Sequence, residues 1–178
     1  LDRPQIGLRI AKDAASDGMV LPAQYYPLHA IAEAEWQVPT EFALAIARQE
    51  SEFDAAAGSH AGARGLMQFM PATFAAYGVD GDRDGTVSIT SDADSVFSAA
   101  NYLTRSGATT GPTGVRSALH AYNHATWYVN DVLHYAHAYG GGLVLGDPAS
   151  CAGGAGNPTT TPLPADRARF AHIWGAII

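Results

Sequence analysis

Apolar residues recur every three or four positions over most of the chain, and this spacing predicts helices. Proline at a first helical turn and serine or aspartate at an N-cap set several of the starts. The predicted helices are, in chain order, Tyr25–Trp36, Val38 to about Phe53, Pro71–Gly78, Ser91 or Asp92 to Gly107, Pro112–Asn123 and Trp127–Tyr139. No run of residues alternates convincingly in the manner of a strand. We therefore predict an all-α fold.

Both ends of the chain lie outside this helical pattern. Residues 1–21 show no clear period, and we expect an N-terminal arm that lies against the domain or is partly mobile. One globular domain is predicted over residues 22–142. Residues 143–164 are rich in Gly, Pro, Thr and Ala, a composition typical of a linker. Residues 165–178 again carry apolar positions at helical spacing, and this C-terminal segment either docks back on the domain or belongs to a neighbour.

Composition narrows the class of protein. The 178 residues are 47% apolar and 15% charged, which is ordinary for one soluble domain, and no apolar run reaches membrane length. A net charge of −7 argues against nucleic acid as a partner, because phosphate backbones require clustered Lys and Arg. Cys151 is the sole cysteine and excludes an internal disulfide. The chain begins at Leu1 instead of Met, so we expect a trimmed or processed protein, and its localisation is inferred from its function.

One carboxylate lies on an apolar helix face. At 100° per residue, Glu50 shares a stripe with Phe42, Ile46 and Phe53, whereas Glu52 points toward Arg48 and solvent. Partial burial of a carboxyl group raises its pKa toward 6 or above, which is the condition for a general acid. The alternative is a helix-end carboxylate satisfied by nearby backbone donors. Helical position alone leaves both interpretations open.

The stretch that follows is suited to binding sugars. Gly62 and Gly65 let the backbone approach a ligand, while Ser59 and Gln68 supply hydroxyl and amide groups that match sugar hydroxyls and acetamido groups. Read with Glu-Ser-Glu-Phe at 50–53 upstream and Ala-Tyr-Asn at 121–123 downstream, this stretch resembles the goose-type lysozyme and lytic transglycosylase superfamily in both order and spacing.

A second set of residues sharpens the resemblance. The sequence Asp-Gly-Asp-Arg-Asp-Gly at 80–85, followed by Ser-Ala-Ala-Asn-Tyr-Leu at 98–103, is similar to the membrane-bound lytic transglycosylase B subgroup and especially its actinobacterial members. The similarity covers roughly residues 38–133. It implies a lysozyme-like (goose-type) catalytic domain with an EF-hand-like loop, in which Glu50 is catalytic. The implied substrate-binding residues are Ser59, Met67, Gln68, Tyr102, Tyr122, Asn123 and Tyr128.

The acidic stretch at 80–85 also has the residue pattern of a metal-binding loop. Aspartates at alternating positions followed by glycine reproduce the first half of an EF-hand calcium loop, but Ser91 stands where the closing Glu is expected. The resemblance implies a longer loop. Its implied calcium ligands are Asp80, Asp82, Asp84, the carbonyl of Thr86 and Asp94. A solvated acidic turn without metal is the alternative.

The resemblance implies a reaction that needs one carboxylate and no cofactor for its chemistry. The expected enzyme is a peptidoglycan lytic transglycosylase, which cleaves the β-1,4 bond between N-acetylmuramic acid and N-acetylglucosamine and leaves 1,6-anhydromuramic ends. Alternatives are a hydrolytic goose-type lysozyme and a non-catalytic glycan-binding module of the cell wall. Peptidoglycan strands are then the partner, action is extracytoplasmic, calcium is structural, and further wall-acting domains are compatible with the linker.

Overall fold

A computed structural model describes residues 3–33 and 39–140. Within them the fold is all-α, as predicted: the chain forms seven α-helices and two 3-10 turns, and its β-type pairing is confined to isolated bridges. The α-helices are α1 (Pro4–Ser16), α2 (Pro22–Tyr25), α3 (Thr40–Ser51), α4 (Pro71–Tyr77), α5 (Asp92–Arg105), α6 (Pro112–Tyr122) and α7 (Thr126–Tyr139). The predicted linker, the C-terminal segment and Cys151 lie outside the described residues.

Helix α3 is the centre of the core. Every residue from Phe42 to Arg48 is buried, and the helix makes its most extensive contacts with α7. Alternate alanines at 43, 45 and 47 remove bulk, so that Leu44 and Ile46 can fill the space between helices. Full burial of each of these two side chains stabilises the fold by about 1.5–3 kcal/mol. The helix that carries Glu50 is therefore held on all sides.

Arg48 corrects one expectation about this helix. The sequence placed it on the solvent side, yet its side chain is only 3% exposed. Its guanidinium lies 3.8 Å from the ring centroid of Tyr135 and donates to the carbonyl of Tyr25 at 3.2 Å. Aromatic faces and a carbonyl can satisfy a buried guanidinium, which is more weakly hydrated than an ammonium. Arg48 thus ties the N-terminal segment to the core.

The N-terminal arm is helical, contrary to the expectation of no regular period. Pro4 starts α1, and Leu8 and Ala11 bury one narrow face of the helix. The period was missed because Ile6 and Ile10 are exposed on other faces, which blurs the apolar stripe. The arm is thus an ordered helix that packs on α2.

The predicted helix over Tyr25–Trp36 is also corrected. The single turn α2 shares only Tyr25 with the predicted range and ends at Tyr26, whose φ and ψ are −120° and 64°. The last three residues of the predicted helix, 34–36, lie outside the described residues. Pro27 explains the break, because a proline disfavours helical geometry in the residue before it and has no N–H to continue the ladder. The chain then forms a 3-10 turn at Ala30–Glu33.

Helices α3 to α7 appear where the sequence predicted them. Proline stands at the start of both α4 and α6, and Ser91 caps α5 by accepting a hydrogen bond from the Asp94 N–H. A proline at the first helical position has no N–H to satisfy, and a serine cap accepts a hydrogen bond from one of the first free N–H groups. Both effects are local, which is why these helix starts were predictable.

Candidate active site

Glu50 lies in the last turn of α3 with its side chain half-buried. The phenol of Tyr128, on α7, donates to Glu50 Oε1 at 2.7 Å. Burial raises the pKa of Glu50 to about 7, and the Tyr128 hydrogen bond acts in the opposite direction because it favours the ionised form. A carboxyl group with this pKa can both donate and accept a proton near neutral pH.

Ser51 connects this helix end to the loop that follows. Its buried hydroxyl donates to the carbonyl of Leu66 at 2.8 Å and lies 3.1 Å from the carbonyl of Ala47. The sequence did not point to this role, because a serine after a helical glutamate has no pattern that distinguishes it. Ser51 therefore fixes the distance between Glu50 and the loop at residues 57–69.

The loop at 57–69 is held by backbone hydrogen bonds, among them a reciprocal pair between Arg64 and Phe69, and by its own polar side chains. Gln68 Nε2 donates to the carbonyls of Ala57 at 3.1 Å and Gly65 at 2.9 Å, and Ser59 Oγ accepts from the Ala63 N–H at 3.0 Å. Gly65 has φ +76°, and a Cβ there would lie 2.2 Å from the carbonyl oxygen of Ile89. The loop thus needs glycine at 65, where it passes close to the chain just before α5.

Three predicted binding tyrosines form one cluster beside Glu50. Tyr122 donates to the carbonyl of Met67 at 2.8 Å, and its ring stacks on that of Tyr128 with centroids 6.4 Å apart. Tyr102 packs edge-on against Tyr122 at 5.4 Å and donates to the carbonyl of Ala121. Burial, followed by the charge of Glu50, raises the pKa of Tyr122 and Tyr128 well above the ordinary value, so both phenols stay neutral donors.

The remaining predicted residues differ in what they expose. The side chains of Met67 and Tyr128 are each only 1% exposed. Met67 contributes its backbone carbonyl, which accepts from Tyr122, and Tyr128 contributes its phenol, which donates to Glu50. Asn123 follows α6 in an extended conformation and is half-buried. Trp127, which the sequence did not single out, is 58% exposed and packs edge-on against Tyr128 at 6.1 Å. In the sequence, the only signal for Trp127 was its position next to Tyr128, a predicted site residue.

The acidic loop joins α4 to α5. Carboxylate oxygens of Asp80, Asp82 and Asp94 all lie within 4.8 Å of one another. The carboxylate of Asp94 is buried, and it accepts from the N–H groups of Gly81 and Ser88, both at 2.7 Å. These bonds draw the two ends of the loop together. Three of the five predicted ligands are thus brought to one place.

Asp84 and Thr86 are arranged differently. Asp84 Oδ1 accepts from the Thr86 N–H at 2.7 Å, and the Asp84 N–H faces Oδ1 of Asp80 and of Asp82, each at 3.2 Å. Asp84 is outside the three-carboxylate group. The donors that do converge are hard carboxylate oxygens, which suit calcium better than zinc.

Comparison with known proteins bears on the same region. Residues 54–122, fewer than half of the chain, match the family model described as "Transglycosylase SLT domain". The matched stretch holds the loop at 57–69, the acidic loop and Tyr122; it starts after Glu50 and ends before Tyr128. No curated protein and no solved structure matches the chain.

The match supports the lytic transglycosylase family in general, and the all-α fold is consistent with the lysozyme-like fold of that family. It supports lytic transglycosylase activity in general, and with it peptidoglycan as substrate and action on the cell wall outside the cytoplasm. Within the described part of the chain, no helix has the length and apolar character needed to cross a membrane.

Proposed function

We propose that this protein is a peptidoglycan lytic transglycosylase of the membrane-bound lytic transglycosylase B type. It cleaves the β-1,4 bond between N-acetylmuramic acid and N-acetylglucosamine, with Glu50 as its single acid and base. The observation that carries the proposal is the half-buried Glu50 carboxyl, whose pKa is raised to about 7 and which accepts a hydrogen bond from Tyr128. Such a group can serve in turn as acid and base without a partner of different pKa.

The first step is protonation of the leaving oxygen. Tyr128 occupies Glu50 Oε1, so Oε2 is the oxygen that carries the proton to the glycosidic oxygen. The bond from the muramic C1 to that oxygen breaks, and the N-acetylglucosamine side leaves as an alcohol. The substrate's own acetamido group stabilises the positive C1.

In the second step Glu50 reverses its role. The carboxylate takes the proton of the muramic C6 hydroxyl, and O6 bonds to C1 to close the 1,6-anhydro ring. The proton that Glu50 gave up is thereby restored, and no water is consumed. The stacked Tyr122 and Tyr128, which remain neutral, keep the carboxylate in an apolar setting between the two steps.

The positions of the neighbouring acidic residues favour ring closure by the sugar's own hydroxyl over hydrolysis. An inverting glycosidase needs a second carboxylate across the sugar ring to activate water. The next two acidic residues, Glu52 and Asp54, are turned instead toward the cations of α1: Arg9 lies 3.4 Å from Glu52 and 3.8 Å from Asp54. Neither is available as a water-activating base.

The same geometry supports an assignment of substrate contacts. We propose a sugar-binding groove beside Glu50, with Ser59, Gln68 and the backbone of Met67 on one wall and Asn123 on the other. Tyr102, Tyr122 and Tyr128 support the floor between them. Trp127 adds an exposed aromatic face of the kind on which sugar rings stack.

Calcium is the cation that we assign to the acidic loop, held by Asp80, Asp82 and Asp94, with Asp84 and the carbonyl of Thr86 as the remaining ligands of the set. When bound, it would supply structural support and would take no part in the chemistry. Asp94 lies in the first turn of α5, so a cation shared with Asp80 and Asp82 would fasten the loop to that helix. This loop is the feature by which we place the protein in the B subgroup.

Product analysis tests the proposal. Purified peptidoglycan is digested, and the muramic ends are identified by mass spectrometry; we expect 1,6-anhydro ends. Reducing ends would instead identify a hydrolytic lysozyme, and wall binding without release of fragments would identify a non-catalytic module.

Two variants accompany that measurement. Glu50→Gln should abolish release while the protein remains folded by circular dichroism. Glu41→Gln, a matched change in the first turn of the same helix, should leave activity intact. Activity that survives Glu50→Gln would place the acid elsewhere.

A further inference from the structure

The backbone directly after Glu50 is unusual. Glu52 and Phe53 both have left-handed geometry, with φ of 53° and 66°, although neither is glycine. Their N–H groups donate to the carbonyls of the last helical turn, at Arg48 and Ala47 respectively, both at 3.3 Å. A left-handed C-cap is normally occupied by glycine, because a Cβ is disfavoured there. Two successive exceptions therefore need a compensating contact for each residue.

Phe53 is compensated by burial. Its ring is 2% exposed and stacks on His29 at 5.8 Å with an interplanar angle of 11°. Glu52 has no such burial, because its side chain is 31% exposed. A different contact must account for a glutamate at this position.

That contact comes from α1. Lys12 Nζ donates to Glu52 Oε1, and Arg9 Nε donates to Glu52 Oε2 at 3.4 Å. Although burial acts to raise it, the pKa of Glu52 is lowered by these two cations. Leu8 and Ala11 bury another face of α1, so the two cations project from a helix that is itself anchored.

We propose that Arg9, Lys12 and Glu52 form a clamp that positions the catalytic acid: it fixes the end of α3 so that the Glu50 carboxyl stays against Tyr128. The inference rests on the proposed role of Glu50. These three are positioning residues, since none contacts the reacting atoms. The clamp also assigns a role to α1, which lies outside the stretch that matches the transglycosylase family.

A purely stabilising role does not explain the arrangement. Half-exposed ion pairs contribute little to stability, whereas glycine at this φ would remove the strain altogether. A glutamate at 52 is therefore the worse residue for folding and the better one for tying two helices together. The difference lets stability and positioning be separated by experiment.

Glu52→Gly is the first test. We expect an unchanged or higher melting temperature, because the strain is relieved. The clamp is lost as well, so kcat should fall roughly three- to tenfold with KM within about twofold, as for small misplacements of a catalytic group. The alkaline limb of the pH profile should move to lower pH by about half a unit or more, since water then reaches Glu50 and reduces the effect of burial.

A second variant keeps the glutamate and removes its partners. Arg9→Gln with Lys12→Met should give the same loss of kcat and the same movement of the limb, and Arg3→Gln, an exposed change beside the same helix, should give neither. Exchanging the charges of the closest pair, with Glu52→Lys and Lys12→Glu in an Arg9→Gln background, should restore kcat to within about threefold of the native enzyme. Arg9 is made neutral because it also lies 3.8 Å from Asp54, so a glutamate there would repel that carboxylate. Failure of the exchange alone to rescue kcat would overturn a clamp based on charge pairing.

A carboxyl titration keeps the test independent of turnover. Carbon-13 NMR of glutamate-labelled protein, with the Glu50 signal assigned by its absence in Glu50→Gln, should show the Glu50 pKa lowered in Glu52→Gly and unchanged in Arg3→Gln. An unchanged Glu50 pKa together with native kcat in both clamp variants would overturn the inference. Activity surviving in Glu50→Gln would instead defeat the proposed function, while the titration would still show whether α1 positions this carboxyl.

Discussion

Replacing Glu50 by glutamine should make the stability of the protein less dependent on pH. The pKa of Glu50 is raised from 4.5 to about 7, so the folded state binds this proton more tightly than the unfolded state does. The resulting stability is fully present below pH 4.5 and is lost as pH rises through 7. At about 1.36 kcal/mol per pKa unit, the raised value corresponds to about 3 kcal/mol of unfolding free energy.

Glutamine retains an oxygen that can accept a hydrogen bond from Tyr128, but it cannot ionise. The unfolding free energy of Glu50→Gln therefore does not fall as pH rises through 7. Urea unfolding of both proteins at pH 4 and pH 8.5 gives four free energies. We expect the variant to gain about 3 kcal/mol relative to the native protein between the two pH values. The comparison between pH values cancels any effect of the substitution that does not depend on pH. A gain below about 1 kcal/mol would show that Glu50 titrates as an ordinary carboxyl, and the argument for a general acid would fail.

Three further outcomes are expected. Tyr128→Phe removes the hydrogen bond that favours ionised Glu50, so the alkaline limb of the pH–activity profile should move up by about one unit; movement downward would contradict the assigned donor. Gly65→Ala should lower the unfolding free energy by about 3 kcal/mol, whereas Gly62→Ala, with φ +94° and open space, should cost only about 1–2 kcal/mol; chemical denaturation measures both, and equal losses would rule out the close approach at Gly65. Calcium at about 100 times its Kd should raise the melting temperature of the metal-free protein by roughly 5–10 °C, and excess chelator should reverse the rise. Asp82→Asn should not respond, and a calcium response that this variant retains would place the cation elsewhere.

The parts of the fold that were predicted are those specified by near neighbours in the chain. Pro71, Ser91 and Pro112 act on the N–H groups of their own first turn, so the starts of α4, α5 and α6 could be read locally. The end of α2 at Tyr26 is also determined locally, because Pro27 disfavours helical geometry in the residue before it, and the sequence alone is enough to predict it. The helical arm was missed for the opposite reason, because the burial of Leu8 depends on α1 finding the rest of the domain.

For the candidate site, the sequence by itself specified residue types, helix faces and the repeated aspartates, which is why Glu50 and the acidic loop could be singled out. It did not determine whether Glu50 would be satisfied by backbone donors or shifted by burial. That depended on Tyr128, which is 78 positions away in the chain and reaches Glu50 only when α7 packs on α3. The tertiary structure likewise decided that Asp94 joins Asp80 and Asp82, and that Lys12 and Arg9 meet Glu52. Hydrogen bonds and ion pairs act over a few ångströms, and only folding brings such distant residues within that range.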